Sequence, residues 1–407
     1  MANTIRWLHL TDLHVGMKDQ GWLWPNLRSK FHDDLKEIHK TAGPWDLVLF
    51  TGDLVQTGTE YAKLDEIFDE IWSWFEELDC DPKLLAVPGN HDLQWQDAKD
   101  PVVKMLQKWA DDPDVSDEFW KKADGKYRKT IKEAFADYET WWKNTSRKPE
   151  DILNGMLPGE FSYTFTKDDF RLGIVGLNTA FLQLTEKKGT QSYEGHLVVH
   201  PNQFHKACSG NIDGDKWADS HHACFLMTHH PPDWLDGDSS RYFKENILDS
   251  FCLHLCGHNH ETKVLQKRAG GVRDAPLRWL GRSLFNAEKL GGGQLDRSHG
   301  YVAGELRRGQ RNLKLQFMPR RREKQGDVYD FVPDQSVTLN KKQRTSAFPI
   351  PLRQTKQPPQ TPSPPDNARV LFRRVIAVIT TILDSNPTLR VELEMALRPD
   401  DKKLQNS

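Results

Sequence analysis

Two short patterns in this chain hold metal-binding side chains two residues apart: Asp12-Leu13-His14 and His258-Asn259-His260. In an extended segment such residues point the same way, so each pair can reach one common point just past a strand end. A third stretch, Pro88-Gly89-Asn90-His91-Asp92, sets an amide, an imidazole and a carboxylate side by side directly after an apolar run. Asp53, at the tip of Thr51-Gly52-Asp53, and the histidines of Thr228-His229-His230-Pro231-Pro232 complete the inventory. Asp12, His14, Asp53, Asn90, His229, His258 and His260 offer oxygen and nitrogen donors without a thiolate, a set suited to divalent Mn, Fe or Zn. They are too many for one ion, whereas two divalent metal ions sharing a carboxylate would use them all. Paired metals are the usual device for in-line displacement at phosphorus, neutralising phosphate oxygens and lowering the pKa of a bridging water so that hydroxide is available. His91 is then left unligated, with Asp92 to orient it, as proton donor to the leaving alkoxide.

Each polar tip follows a short apolar run that reads as a buried strand: 5–10, 45–50, 84–87, 223–227 and 251–256. Residues 28–40 and 59–78 have the apolar spacing of amphipathic helices, so the order of strand and helix predicts an α/β fold with a largely parallel central sheet. In such sheets ligands bind outside the carboxyl ends of the strands, which sends five tips to one crevice. Residues 16–26 read as a loop packed down by Trp22 and Trp24, with stacking on a substrate base as the rarer use. Residues 95–146, rich in Lys, Asp, Glu and Trp, read as an inserted helical cap. Paired strands at 161–165 and 170–177, turning at Lys167-Asp168-Asp169, lead towards a second sheet. His254 lies inside a strand and reads as a core histidine, and 277–285 and 299–317 read as further strands.

Composition bounds the rest. A chain of 407 residues accommodates one large domain of roughly 250 to 350 residues and a small appendage. The net charge of -2 supplies no whole-chain field for nucleic acid or a membrane surface, and no run approaches the ~20 apolar residues that span a bilayer. Five widely spaced cysteines in apolar runs suit reduced, buried thiols, and with no secretory pattern at the N-terminus the expected location is cytoplasmic. Arg307, Arg308, Arg311, Arg320, Arg321 and Arg322 make one stretch basic, which is either a solvated edge or a nucleic-acid footprint.

Taken in order, Asp12-x-His14, Gly52-Asp53, Gly89-Asn90-His91-Asp92, His229 and Gly257-His258-x-His260 resemble the five-block signature of the calcineurin-like metallophosphoesterases, over roughly residues 5–333. The resemblance implies a two-sheet α/β/β/α sandwich. It implies one metal held by Asp12, His14, Asp53 and His260, and a second held by Asp53, Asn90, His229 and His258. His229 is preferred to His230 because the family's ligand stands two residues before the proline. Thr11-Asp12-Leu13-His14 lacks a following glycine and Gly52-Asp53-Leu54-Val55 lacks the Asp-Arg-Gly of the superfamily's protein Ser/Thr phosphatases. The opening Leu8-His9-Leu10-Thr11-Asp12-Leu13-His14 and the Gly-Asn-His-Asp block look most like bacterial phosphodiesterases, including those for cyclic nucleotides. The expected substrate is a small phosphodiester. A DNA nuclease or a phosphomonoesterase is the alternative, and a binding protein that keeps the fold with little catalysis is the reading from another class.

The catalytic domain is expected to occupy 1–350. Residues 351–367, with Pro358, Pro359, Pro362, Pro364 and Pro365, read as a semi-rigid linker. Residues 368–407 have the apolar spacing of two helices broken at Asn386-Pro387, too small a piece to be stable alone. Such a tail must bury its apolar face, either on the catalytic domain or as an adaptor to a partner protein or a second copy.

Overall fold

A computed structural model of the chain describes residues 4–17, 20–187, 192–208, 213–258, 263–265, 276–284, 288–289, 295–296, 299–326, 328–353 and 355. The chain divides into two units, Met1–Lys356 and Gln357–Ser407. The expected tail helices lie outside the described residues, and so does His260.

Strands β1 (Thr4–Leu10), β2 (Leu47–Thr51) and β3 (Lys83–Val87) pair in parallel, and the mostly apolar β2 and β3 reflect a sheet covered on both faces. The remaining strands are β4 (Leu153–Asn154), β5 (Phe161–Lys167), β6 (Phe170–Gly176), β7 (Ala223–Met227), β8 (Leu253–Cys256), β9 (Lys263–Leu265), β10 (Leu277–Leu280), β11 (Glu288–Lys289), β12 (Leu295–Asp296), β13 (Gly300–Arg308), β14 (Asn312–Gln325), β15 (Val328–Pro333) and β16 (Phe348–Pro351). One sheet runs β15-β14-β13-β1-β2-β3, with β16 also on β14, and the other runs β4-β5-β6-β7-β8-β10-β9. The strand expected at 299–317 is a hairpin, because the chain reverses at Gly309, whose N–H bonds to the Asn312 carbonyl, and β14 then pairs antiparallel with β13.

The period of two along each strand sorts the layers. Ile5 and Trp7 of β1, Leu47 and Leu49 of β2, and Leu85 and Val87 of β3 meet Phe225 and Met227 of β7 and Leu253 and Leu255 of β8 in one core between the sheets. Trp7 lies edge-on to Phe225 with ring centroids 5.0 Å apart. The alternate residues face outward, Val48, Phe50, Leu84 and Ala86 onto helices on one side, Cys224 and Leu226 onto helices on the other. The result is the two-sheet α/β/β/α sandwich, with the five polar tips divided between two facing sheets rather than aligned along one.

Helix α1 spans Gln20–Ala42 and α2 spans Tyr61–Glu77. The stripe Leu64, Phe68, Ile71, Trp74 and Phe75 buries α2 against the sheet. Helix α1 begins well before the expected position and carries Pro25 in its second turn, so much of the expected loop 16–26 is helical. Tertiary packing explains this: Trp24 stacks nearly parallel on Trp74 at 6.1 Å and donates its indole N–H to Glu70 at 3.1 Å. Between β3 and β4 stand α3 (Pro101–Gln107), α4 (Pro113–Lys121), α5 (Lys126–Ala134) and α6 (Ala136–Asn144). Asp100 and Asp112 cap α3 and α4, each followed by a proline whose missing N–H needs no partner there.

Candidate metal centre

Asp12 and His14 follow β1, Asp53 follows β2, Asn90 and His91 follow β3, His229 follows β7 and His258 follows β8. Backbone bonds lock the first two tips together: Leu13 and His14 both donate to the Asp53 carbonyl, at 2.8 and 3.0 Å, and Asp12 donates to the Gly52 carbonyl at 3.0 Å. Asp12, His14, Asp53 and His258 all have positive φ, between 47° and 69°, a region that costs a residue with a side chain about 1 kcal/mol or more. Four such residues at the ends of three strands turn their side chains towards one point. The glycines make the room. Gly52, at φ +92°, would put a Cβ 2.6 Å from His229 Nδ1, and a Cβ on Gly89 would collide with Asp53 Oδ1.

Asp53 is the hub. Its Oδ2 lies 3.2 Å from His229 Nε2 and 3.9 Å from His14 Nε2, and its Oδ1 accepts the His91 backbone N–H at 2.8 Å. His14 Nε2 also stands 3.8 Å from Asp12 Oδ1. His229 Nε2 is 3.1 Å from Asn90 Oδ1 and 3.1 Å from His258 Nδ1. His14, Asp53 and His91, and likewise Asp12, Asp53 and His229, bring their donor atoms within 4.8 Å of one another. A metal there would find donors already converged, with Asp53 facing both groups as a shared carboxylate does.

Electrostatics fit that reading. Burial penalises the Asp53 charge, yet His229, His91 and His14 hold its carboxyl well below the usual range. Burial also works against a charged His229, but Asp53, Asp12 and the Thr51 carbonyl raise it to about 9. A metal ligand histidine must be neutral, so metal loading is expected to release the proton that His229 carries. His229 Nδ1 is fixed on the Thr51 carbonyl at 2.8 Å, which aims Nε2 at the cluster. His230 stands beside it: the donor atoms of His229, His230 and His258 also lie within 4.8 Å of one another. His230 Nδ1 lies 3.1 Å from Thr179 Oγ1, and burial followed by the nearby His258 and His229 keeps its imidazole neutral.

His91 stands beside the cluster, its ring 4.8 Å from that of His14. Asp92 does not orient it. Both Asp92 oxygens are taken by backbone: Oδ1 accepts Leu54 and Val55 N–H at 2.8 and 3.1 Å, and Oδ2 accepts Gly89 N–H at 2.8 Å. The His91 imidazole is held by the Gln56 carbonyl, 2.9 Å from Nδ1, so Nδ1 carries the proton and Nε2 is left for the site. Asp92 therefore ties the loop after β2 to the loop after β3. Burial and the Asp53 charge push its carboxyl up to about 7, against the opposing backbone bonds.

Several neighbours escaped the sequence reading. Thr11 Oγ1 donates to Asp12 Oδ2 at 2.5 Å, Ser283 Oγ donates to the Asp12 carbonyl at 2.9 Å, and Trp234 stands edge-on to His258 with ring centroids 4.0 Å apart. Thr11, next to Asp12, was the one visible in the motif itself. His254 is a core histidine, bonded through Nε2 to Thr228 Oγ1 at 2.8 Å.

Fold and site define a two-sheet α/β protein with a buried cluster of oxygen and nitrogen donors of the kind that holds paired divalent metals. The chain belongs to the calcineurin-like phosphoesterase family, whose profile matches residues 5–262. No curated protein matches it significantly in sequence. Among solved structures it is similar to GAP50, the anchor in the inner membrane complex of Plasmodium, at 12% identity and TM-score 0.40, over 87% of this chain and 90% of that one. It is similar to the purple acid phosphatase PPD1 from yellow lupin (Lupinus luteus) seeds at 14% identity and TM-score 0.39, over 81% of this chain and 53% of that one. Vacuolar Protein Sorting 29 from Cryptosporidium parvum aligns at 12% identity and TM-score 0.32, over 81% of this chain and 96% of that one. Among the described residues no helix is long and apolar enough to cross a membrane.

Proposed function

We propose that the chain is a phosphodiesterase that uses two divalent metal ions to hydrolyse a small phosphodiester such as a cyclic nucleotide. The observation that carries this is the convergence of Asp53, His229, Asn90 and His258 on one point, with His14 reaching the same Asp53 Oδ2 and Asp12 beside His14. Asp12, His14, Asp53 and His260 would hold one metal, and Asp53, Asn90, His229 and His258 the other. When bound, the ions neutralise the phosphate oxygens and lower the pKa of water, and Mn, Fe or Zn suits the donors.

The protein's own groups do the rest. His91, with its Nδ1–H held by the Gln56 carbonyl, presents Nε2 on the same side as His14; as the doubly protonated imidazolium it would deliver the Nε2 proton to the leaving alkoxide and be left as the neutral Nδ1–H form. Asp92 acts as a positioning residue, keeping Asp53 and Asn90 in register through the loop ends it binds. The basic stretch favours a small substrate over DNA, because much of its charge is already committed. Arg307 pairs with Glu305, Arg308 with Asp169, Arg320 with Asp34 and Arg321 with Glu323.

The test is hydrolysis of bis-p-nitrophenyl phosphate against p-nitrophenyl phosphate by metal-stripped protein with Mn added back. Preference for the diester supports the proposal. Preference for the monoester makes the chain a phosphatase, and silence on both, with no Mn bound, returns it to the binding-protein reading.

A further inference from the structure

Among the described residues three large apolar side chains are exposed, and the aromatic one, Trp95, stands at the candidate site with 47% of its surface open. Its indole N–H donates to the Asn90 carbonyl at 3.3 Å, and its ring centroid lies 5.7 Å from that of His91 at a tilt of 48°. The segment carrying it is fastened on both sides. Gln94 N–H bonds to the Ala134 carbonyl, the Gln94 side-chain amide donates to Asp137 at 2.7 Å, and Gln96 N–H bonds to the Leu184 carbonyl. Leu93, just before them, is fully buried. An indole on a slack loop would fold against the nearest apolar surface. This one is held in place with much of its surface in water, next to the imidazole assigned to the leaving group.

We propose that Trp95 is a stacking platform for a planar ring in the substrate, so that the phosphodiester taken by this site carries a nucleobase. The proposal rests on the phosphodiesterase reading and extends it to the substrate class. His91 protonates the leaving oxygen, and a ring stacked on the neighbouring indole therefore belongs to the leaving side of the ester. A base offers a flat π-face and no required charge, which matches an indole whose N–H is held by the Asn90 carbonyl and whose ring is half open to water.

The experiment measures binding of AMP and of ribose 5-phosphate to the Mn-loaded full-length chain by calorimetry. The two ligands share sugar and phosphate and differ in the base. The wild type is expected to bind AMP about tenfold or more tightly than ribose 5-phosphate, the size of one base–aromatic stack. Trp95→Ala should bring that ratio close to one and leave ribose 5-phosphate binding and Mn content unchanged, while Trp95→Phe keeps most of the ratio. A ratio unchanged in Trp95→Ala, or a wild-type ratio near one, overturns the platform and leaves the phosphodiesterase reading standing. Equal weakening of both ligands in both variants would assign Trp95 to holding Asn90 and would overturn it as well. Wild-type protein that binds Mn but neither ligand overturns the platform together with the reading beneath it.

Discussion

Removing the Asp92 carboxyl separates two accounts of the Gly89-Asn90-His91-Asp92 stretch. If Asp92 steered the His91 imidazole, Asp92→Asn and Asp92→Ala would lower turnover and leave stability and metal content alone. The structure leads elsewhere, because the two oxygens accept three buried backbone N–H groups, from Leu54, Val55 and Gly89. A buried donor left without an acceptor costs about 1–3 kcal/mol, so Asp92→Ala should lose about 3–6 kcal/mol once water in the vacated space recovers part of it. At about 2 °C per kcal/mol for a domain of this size, the melting temperature should fall by roughly 6–12 °C. Asp92→Asn keeps an acceptor for Leu54 and Val55 but turns an amide donor towards Gly89, and should lose about 1–3 kcal/mol. Because the same bonds set the spacing of Asp53 and Asn90, bound Mn should fall with the melting temperature. Melting curves and metal analysis on the two variants decide the matter. An Asp92→Ala protein with wild-type melting and full metal content, yet poor turnover, would refute the backbone-tie account.

Three further outcomes follow from the same geometry. His91→Gln is expected to keep both metals and the wild-type melting temperature while turnover falls by about 10²–10⁴, the usual share of a general acid, and metal analysis beside kcat checks both halves. Gly89→Ala places a methyl group against Asp53 Oδ1 and the Asp53 backbone, so the purified protein should keep its circular dichroism and lose most of its bound Mn. Glu160 is fully buried, and desolvation pushes its carboxyl up to about 7 against bonds from Gln203, Leu157 and Met156. The unfolded chain gives up that proton first, at a pH near 4.5, so stability should fall as pH rises from about 4.5 to 7, by on the order of 3 kcal/mol in total. Urea unfolding of wild type and Glu160→Gln at pH 5 and pH 8 should show the stability difference between the two pH values shrinking in the variant, and an identical difference would remove Glu160 as its source.

The strands and their polar tips were legible in the sequence because both signals are local. An apolar run of four to six residues ending in Asp, Asn or His needs only the strand period and a turn to be read, and β1, β2, β3, β7 and β8 all end where such runs end. The order of the five tips also carried the family. Other features depended on contacts far apart in the chain. Trp24 lies in a helix rather than a loop because Trp74 and Glu70 receive it. The tips belong to two sheets, since pairing partners are chosen by packing and not by proximity in sequence. His229 and His230, identical in type and adjacent in sequence, meet different anchors that no local pattern shows, the Thr51 carbonyl and the Thr179 hydroxyl. Asp92 shows the same limit most plainly: next to His91 in sequence, its carboxylate is claimed by the backbone at Leu54, Val55 and Gly89. The sequence by itself determined which donors this protein owns and that they stand at strand ends. Their aim was decided by tertiary structure, because the left-handed backbone at Asp12, His14, Asp53 and His258 persists only where bonds and packing from distant segments offset its strain.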